Sequence, residues 1–182
     1  MPHQARPENQ RMEAAAANGE GVRISAGELR LEKDLLELDL QKGMSIRFPE
    51  GEHKLLHFEI TMKPDKGIYE GGTFTFDFAI ATSYPHHAPD VRCKTKVFHP
   101  NIDLEGNVGL KILREDWKPI LSIKVVIEAL QFLFWHPNPE EPLNKEAAEM
   151  QKNNPRQFES NVQASIMRGH HINGHYFPPC ME

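Results

Sequence analysis

The sequence predicts an α+β fold in which helices are segregated from an antiparallel sheet. Three observations carry that expectation. Three segments alternate apolar and polar residues with period two, as half-buried antiparallel strands do. Segments with apolar residues three and four apart stand before and after them, which is helical spacing. Between the strands and the later helices, Phe98 to Leu121 has neither period yet is rich in apolar side chains. A loop that long and that apolar is expected to be packed and functional. No internal repeat is visible.

Taken in order, residues 1–23 are polar, with Pro2, Pro7, Gly19 and Gly21, and are expected to form a disordered arm. The domain is placed at 24–182. Ser25 and Glu28 have capping-box spacing. Leu31, Leu35 and Leu38 then predict an amphipathic helix of about four turns, with Arg30, Glu32, Lys33 and Glu37 on its outer face. Ser45 to Phe48 is expected to open the sheet. Leu56, Phe58, Ile60 and Met62 form the inward set of the next strand. Phe74, Phe76, Phe78 and Ile80 form that of the third, and Val91, Cys93, Thr95 and Val97 that of the fourth. Short turns between them make a four-stranded meander the simplest topology. Arg92, Lys94 and Lys96 would then share a solvated strand face, which an acidic partner could also use.

Beyond the long loop, Ile123, Val126, Ile127, Leu130, Leu133 and Phe134 predict a helix with Ser122 as its N-cap. Pro137, Pro139 and Pro142 forbid its continuation. Asn144 can cap a short helix through Met150. Asn154 and Pro155 suit the N-cap and first position of a last helix, carrying Phe158, Val162 and Ile166 and ended by Gly169.

Composition narrows the function. The 182 residues include 26 acidic and 21 basic side chains, a formal charge of −5 and a pI near 6.1, which disfavours nucleic-acid binding. No run approaches the length of a membrane span. Two cysteines, Cys93 and Cys180, are too few for a disulfide framework or a cysteine zinc site. A reducing cytoplasmic or nuclear setting is expected, with no metal and no cofactor. The group His86, His87, Cys93 and His99 fits no zinc spacing.

The segment His99-Pro100-Asn101, with Tyr84-Pro85, Trp117-Lys118-Pro119 and Pro137 to Leu143, resembles the signature of ubiquitin-conjugating enzymes. The likeness covers about residues 25–180 and implies that family's fold: N-terminal helix, four-stranded meander, packed active-site loop and three helices. Asn101 to Trp117, Pro142 to Glu149 and the tail from Tyr176 to Cys180 resemble the neddylation branch. Such proteins take the ubiquitin-like modifier Nedd from an activating enzyme as a cysteine thioester. They pass it to a lysine, typically on a cullin, with a RING-type ligase.

The family pattern puts the nucleophilic cysteine eight residues after Asn101, and here that residue is Gly109. Glycine has no side chain with which to attack or carry an acyl group. No Ser, Thr, Cys or Tyr occurs between Thr95 and Ser122, and an amine such as Lys111 would form a stable isopeptide. Cys93 and Cys180 match non-catalytic positions of the branch. The resemblance gives Asn101 the role of stabilising an oxyanion or bracing the loop, and bracing remains without a thioester. It gives His99 a structural role in the loop and Glu141 a lysine-orienting position, with glutamate for the usual aspartate. Lys111 stands for the usual asparagine. His86, Pro119 and Ile120 resemble ligase-binding loops. Residues 1–22 hold no Leu, Phe, Ile or Trp, so the hydrophobic anchors for the activating enzyme are missing. The expectation is an inactive member that binds a RING-type ligase, the modifier or a cullin complex non-covalently. The alternative is an active Nedd- or ubiquitin-conjugating enzyme in which Gly109 is an engineered or erroneous residue.

Overall fold

In the computed structural model, which describes residues 24–181, the chain enters through helix α1 (Ala26–Leu36). The expected arm at 1–23 lies outside the described residues. Ser25 Oγ accepts the Glu28 N–H at 3.1 Å, which satisfies one orphan amide of the first turn. The helix is three turns, not four. It closes where Leu38 N donates to Leu35 O at 3.3 Å, and Leu38 packs on the core from the turn that follows. Its polar side is also less exposed than expected. Glu32 is buried, and Arg30 donates to the carbonyls of Pro119 and Leu121 at 2.8 Å each while pairing with Asp34. A charged helix face here anchors a distant loop.

Four strands follow, β1 (Ser45–Arg47), β2 (His57–Met62), β3 (Phe74–Ala79) and β4 (Asp90–Cys93), paired antiparallel in chain order as the expected meander. Register places Phe58 opposite Phe78 and Ile60 opposite Phe76, so one face of the sheet is a continuous aromatic and aliphatic surface. The other face departs from a simple wet surface. Glu59 is buried there because Arg47 and Lys94 close over it at 2.7 and 2.5 Å. Those two cations hold its carboxyl below the usual range, Lys94 first.

β4 ends at Cys93 rather than Val97. Cys93 N turns to the carbonyl of Gly106 (2.8 Å), so the loop takes over the strand's edge. Lys96 therefore lies beyond the strand, with its ammonium 5.2 Å from the Phe177 ring, yet Arg92, Lys94 and Lys96 still line one open cleft, together with Asp77, Asp103 and Glu105.

Helix α2 (Ile123–Trp135) buries all six expected residues against the sheet. Ser122 occupies its N-cap position in extended backbone, but its side chain makes no capping hydrogen bond. Asn144 caps α3 (Lys145–Asn153) through Ala147 N at 3.1 Å. Asn154 caps α4 (Pro155–Arg168) through Gln157 N at 3.2 Å, with Pro155 first and Gly169 last at φ +77°. A small hairpin, β5 (His170–Ile172) and β6 (His175–Phe177), then follows, which the periodicity reading did not include. Its signal was Asn173-Gly174, both with positive φ (49° and 83°), as a two-residue primed turn requires. The hairpin delivers Phe177 to the core beside Phe98, ring centroids 5.6 Å apart. Among the described residues no helix is long and apolar enough to cross a membrane.

Candidate functional site

The long loop is held by a short buried relay that begins at His99. The imidazole is fully buried, stacked 4.9 Å from the Tyr69 ring, with Nε2 at 3.0 Å from Leu133 O and Nδ1 accepting Asn101 N–H at 2.9 Å. These contacts require the neutral form with the proton on Nε2. Burial agrees, pushing its pKa down to about 3. Tyr69 in turn donates its hydroxyl to Phe98 O at 2.7 Å, closing the same turn from the other side.

Asn101 is 2% exposed, and its amide engages a single residue. Nδ2 donates to Asn138 O at 2.7 Å and Oδ1 accepts Asn138 N–H at 2.8 Å. Leu143 N and Asn144 N both donate to Pro100 O, at 2.8 and 3.0 Å. The proline-rich segment after α2 is thus strapped along residues 99–101. Spacing alone did not reveal Asn138, because its partner is 37 residues away.

From Asn101 the chain makes a tight turn built by Asp103, whose Oδ1 accepts Glu105 N and Asn107 N at 3.0 and 2.9 Å. Gly106 completes it at φ +88°, where a Cβ would overlap the Cys93 carbonyl oxygen. Ile102 and Val108 then pair across the turn, and Gly109 N donates to Asn101 O at 2.8 Å. Position 109 is therefore presented, half-buried, between Asn101 and Leu143.

Gly109 differs from Gly106 in kind. Its φ is not in the left-handed region, and an added Cβ would meet Leu143 Cγ at 3.2 Å and Asn101 O at 3.3 Å. The first neighbour is a rotatable side chain. The second is backbone, so a larger residue needs both Leu143 and the Asn101 carbonyl to give by a few tenths of an ångström. No left-handed backbone angle asks for glycine at 109.

Just past it, a 3₁₀ turn (Lys111–Leu113) sends Lys111 Nζ to 3.2 Å from Glu141 Oε2. The carboxylate raises the Lys111 pKa, by hydrogen bond first and charge second. Two residues singled out separately in the sequence thus face each other two residues beyond position 109.

Neither cysteine is placed to act as a nucleophile. Cys93 is buried on β4, donates Sγ–H to Thr95 O at 3.2 Å, and has its pKa pushed up to about 12 by burial. Burial raises Cys180 as well. A thiol so protonated supplies little thiolate near neutrality. His86, Pro119 and Ile120 are all exposed, Ile120 at 85%. Trp117 ties their loops together by donating to Pro85 O at 2.8 Å. Among the described residues no group of three His, Cys, Asp or Glu side chains could hold a metal ion.

A family profile described as ubiquitin-conjugating enzyme matches residues 30–166. The chain is 53% identical over 178 residues to a probable NEDD8-conjugating enzyme Ubc12-like protein of Arabidopsis thaliana, covering 96% of each. It is 49% identical to the Nedd8-conjugating enzyme UbcE2M of Drosophila melanogaster, covering 87% of each. Among solved structures, S. cerevisiae Ubc12 superposes with a TM-score of 0.78 at 35% identity, covering 94% of this chain and 95% of that one.

Proposed function

The chain belongs to the ubiquitin-conjugating enzyme family, and on that premise we propose a neddylation-branch member that cannot hold its modifier as a thioester. It acts instead by binding a RING-type ligase, the modifier or a cullin complex without covalent transfer. One observation carries the reading. The framework that presents residue 109 is complete, from His99 through Asn101 and Asn138 to Leu143, while residue 109 is a glycine with no reacting atom. Of the two thiols elsewhere Cys93 is buried and Cys180 half-buried, and burial holds both toward the protonated form, which supports neither as a substitute. Asn101 has its Oδ1 and one Nδ2 hydrogen engaged by Asn138, which supports a bracing role. The exposed Ile120, with Pro119 and His86 on a tied pair of loops, supports a surviving ligase surface.

The active alternative draws on a different fact: the backbone at 109 accepts a side chain. One assay separates the two readings. The protein is incubated with NEDD8, ATP and the activating enzyme, then run with and without reductant. We expect no reductant-sensitive adduct from the chain as written, and charging of Gly109→Cys. An adduct on the unaltered chain would sink the inactive reading. The binding role is tested by pull-down with cullin–RING complexes, where recovery no better than a bead control would count against it.

A further inference from the structure

The Lys111–Glu141 pair lies beside the one position where this family holds an acyl group. Leu110 is extended (φ −119°, ψ 123°), so residues 109 and 111 direct their side chains to the same face. Two residues of extended chain span about 7 Å, which the four-carbon lysine stem can bridge. On the facing segment, Leu143 meets the Cβ position of 109 and Glu141, two residues earlier, receives the Lys111 ammonium. The apolar contact and the ion pair therefore join the same two segments. Both partners are more than half exposed (52% and 65%), so the amine is open to solvent and held by charge and geometry.

We propose that Lys111 is the resident amine of this groove, occupying the place where an incoming lysine would approach residue 109. The inference rests on the preceding reading, that 109 is the acyl-carrying position. In a chain bearing a thioester there, the neutral Nζ would attack the thioester carbonyl. The C–N bond forms, the C–S bond breaks, the nitrogen's proton passes to Glu141 or water, and the departing thiolate is protonated from solvent. The product is an isopeptide on Lys111 and a free thiol, so the thioester is consumed within the molecule. Gly109 and Lys111 are thus consistent with each other. In the chain as it stands nothing is transferred, and Lys111 closes the groove to substrate lysines.

The test loads Gly109→Cys chemically, with the mercaptoethanesulfonate thioester of acetylglycine, which needs no activating enzyme. The unaltered chain, with Cys93 buried and Cys180 half-buried, gives the background from those two thiols. Intact mass before and after reductant, with peptide mapping, follows the acyl group. A reductant-resistant acyl group should appear on Lys111 at a first-order rate independent of protein concentration, and faster at higher pH. In Gly109→Cys/Lys111→Arg, which keeps the cation but has no accepting amine, the resistant product should form at least about tenfold more slowly, since the loss is of an intramolecular reaction. An acyl group that stays on the thiol, or spreads over lysines without preference for Lys111, overturns the proposal. So does an introduced thiol that takes up no acyl group, because the groove would then be shut rather than occupied. Failure of the same variant to charge from the activating enzyme and NEDD8 bears on the preceding reading alone.

Discussion

Asn101 shows how much one side chain can fix. Its amide matches the N–H and C=O of Asn138, so a single residue aligns the post-α2 segment with the active-site loop. Replacing it with alanine leaves both backbone groups of Asn138 to find other partners. The net cost of two such hydrogen bonds is about 2 kcal/mol, more if the groups stay dry. Urea unfolding of Asn101→Ala should show a loss of unfolding free energy of that size. Asn101→Ala as stable as the parent would mean the amide does not brace the segment. The role was legible in the sequence only as one of two options. The choice needed Asn138, which no local spacing points to.

At the scale of elements, the turn from Asp103 to Val108 decides where residue 109 stands. Gly106 is forced by that turn, through its φ of +88° and the Cys93 carbonyl against it, whereas Gly109 has no such backbone angle and only milder contacts, with Leu143 and the Asn101 carbonyl. The two glycines give opposite expectations. Gly106→Ala combines strain with a clash and should lose at least about 2 kcal/mol. Gly109→Ala should lie within about 1 kcal/mol of the parent, since shifts of a few tenths of an ångström in Leu143 and the Asn101 carbonyl relieve its contacts. Thermal unfolding of the pair checks this. Equal destabilisation by both would mean that glycine at 109 is structural. The same turn covers the outer edge of β4, where Gly106 O accepts Cys93 N. Alternation through Val97 predicted a longer strand, but although Lys94 N still donates to Thr75 O, Thr75 N donates to the Thr95 side chain instead of a backbone carbonyl, and the regular ladder ends.

Across the whole molecule, pH dependence follows from three groups. His99, fully buried, has its pKa depressed to about 3, so below the ordinary value of 6.5 the unfolded chain binds a proton that the folded one refuses. Its contribution is intact above pH 6.5 and is lost as pH falls toward 3. His57 works in the opposite sense. Asp77 (2.6 Å), and then Glu50, raise its pKa, so it stabilises below 6.5 and that help fades as pH rises. It is partly exposed, and worth no more than about 1 kcal/mol. Glu59 is held low by Lys94 and Arg47 and enters only below the usual glutamate range. Between pH 7 and pH 5 the His99 effect should dominate, at about 2 kcal/mol. Urea titrations at the two pH values measure it, and His99→Gln, neutral at both, should show a smaller difference. An equal difference in that variant would remove His99 as the cause.

The sequence by itself determined the order of elements through α4, the inward-facing sets of β2, β3 and α2, the caps at Ser25, Asn144 and Asn154, and the missing side chain at 109. All of these are set by residues within one turn or one strand of each other, where period and capping chemistry act locally. Tertiary structure alone decided that Asn138 answers Asn101, that Glu59 is buried beneath Lys94, that Arg30 holds the loop at Pro119, and that Lys111 meets Glu141. Each of those joins residues at least 12 positions apart. Their meeting depends on how the sheet, α2 and the loop pack together, and a linear pattern carries no term for that.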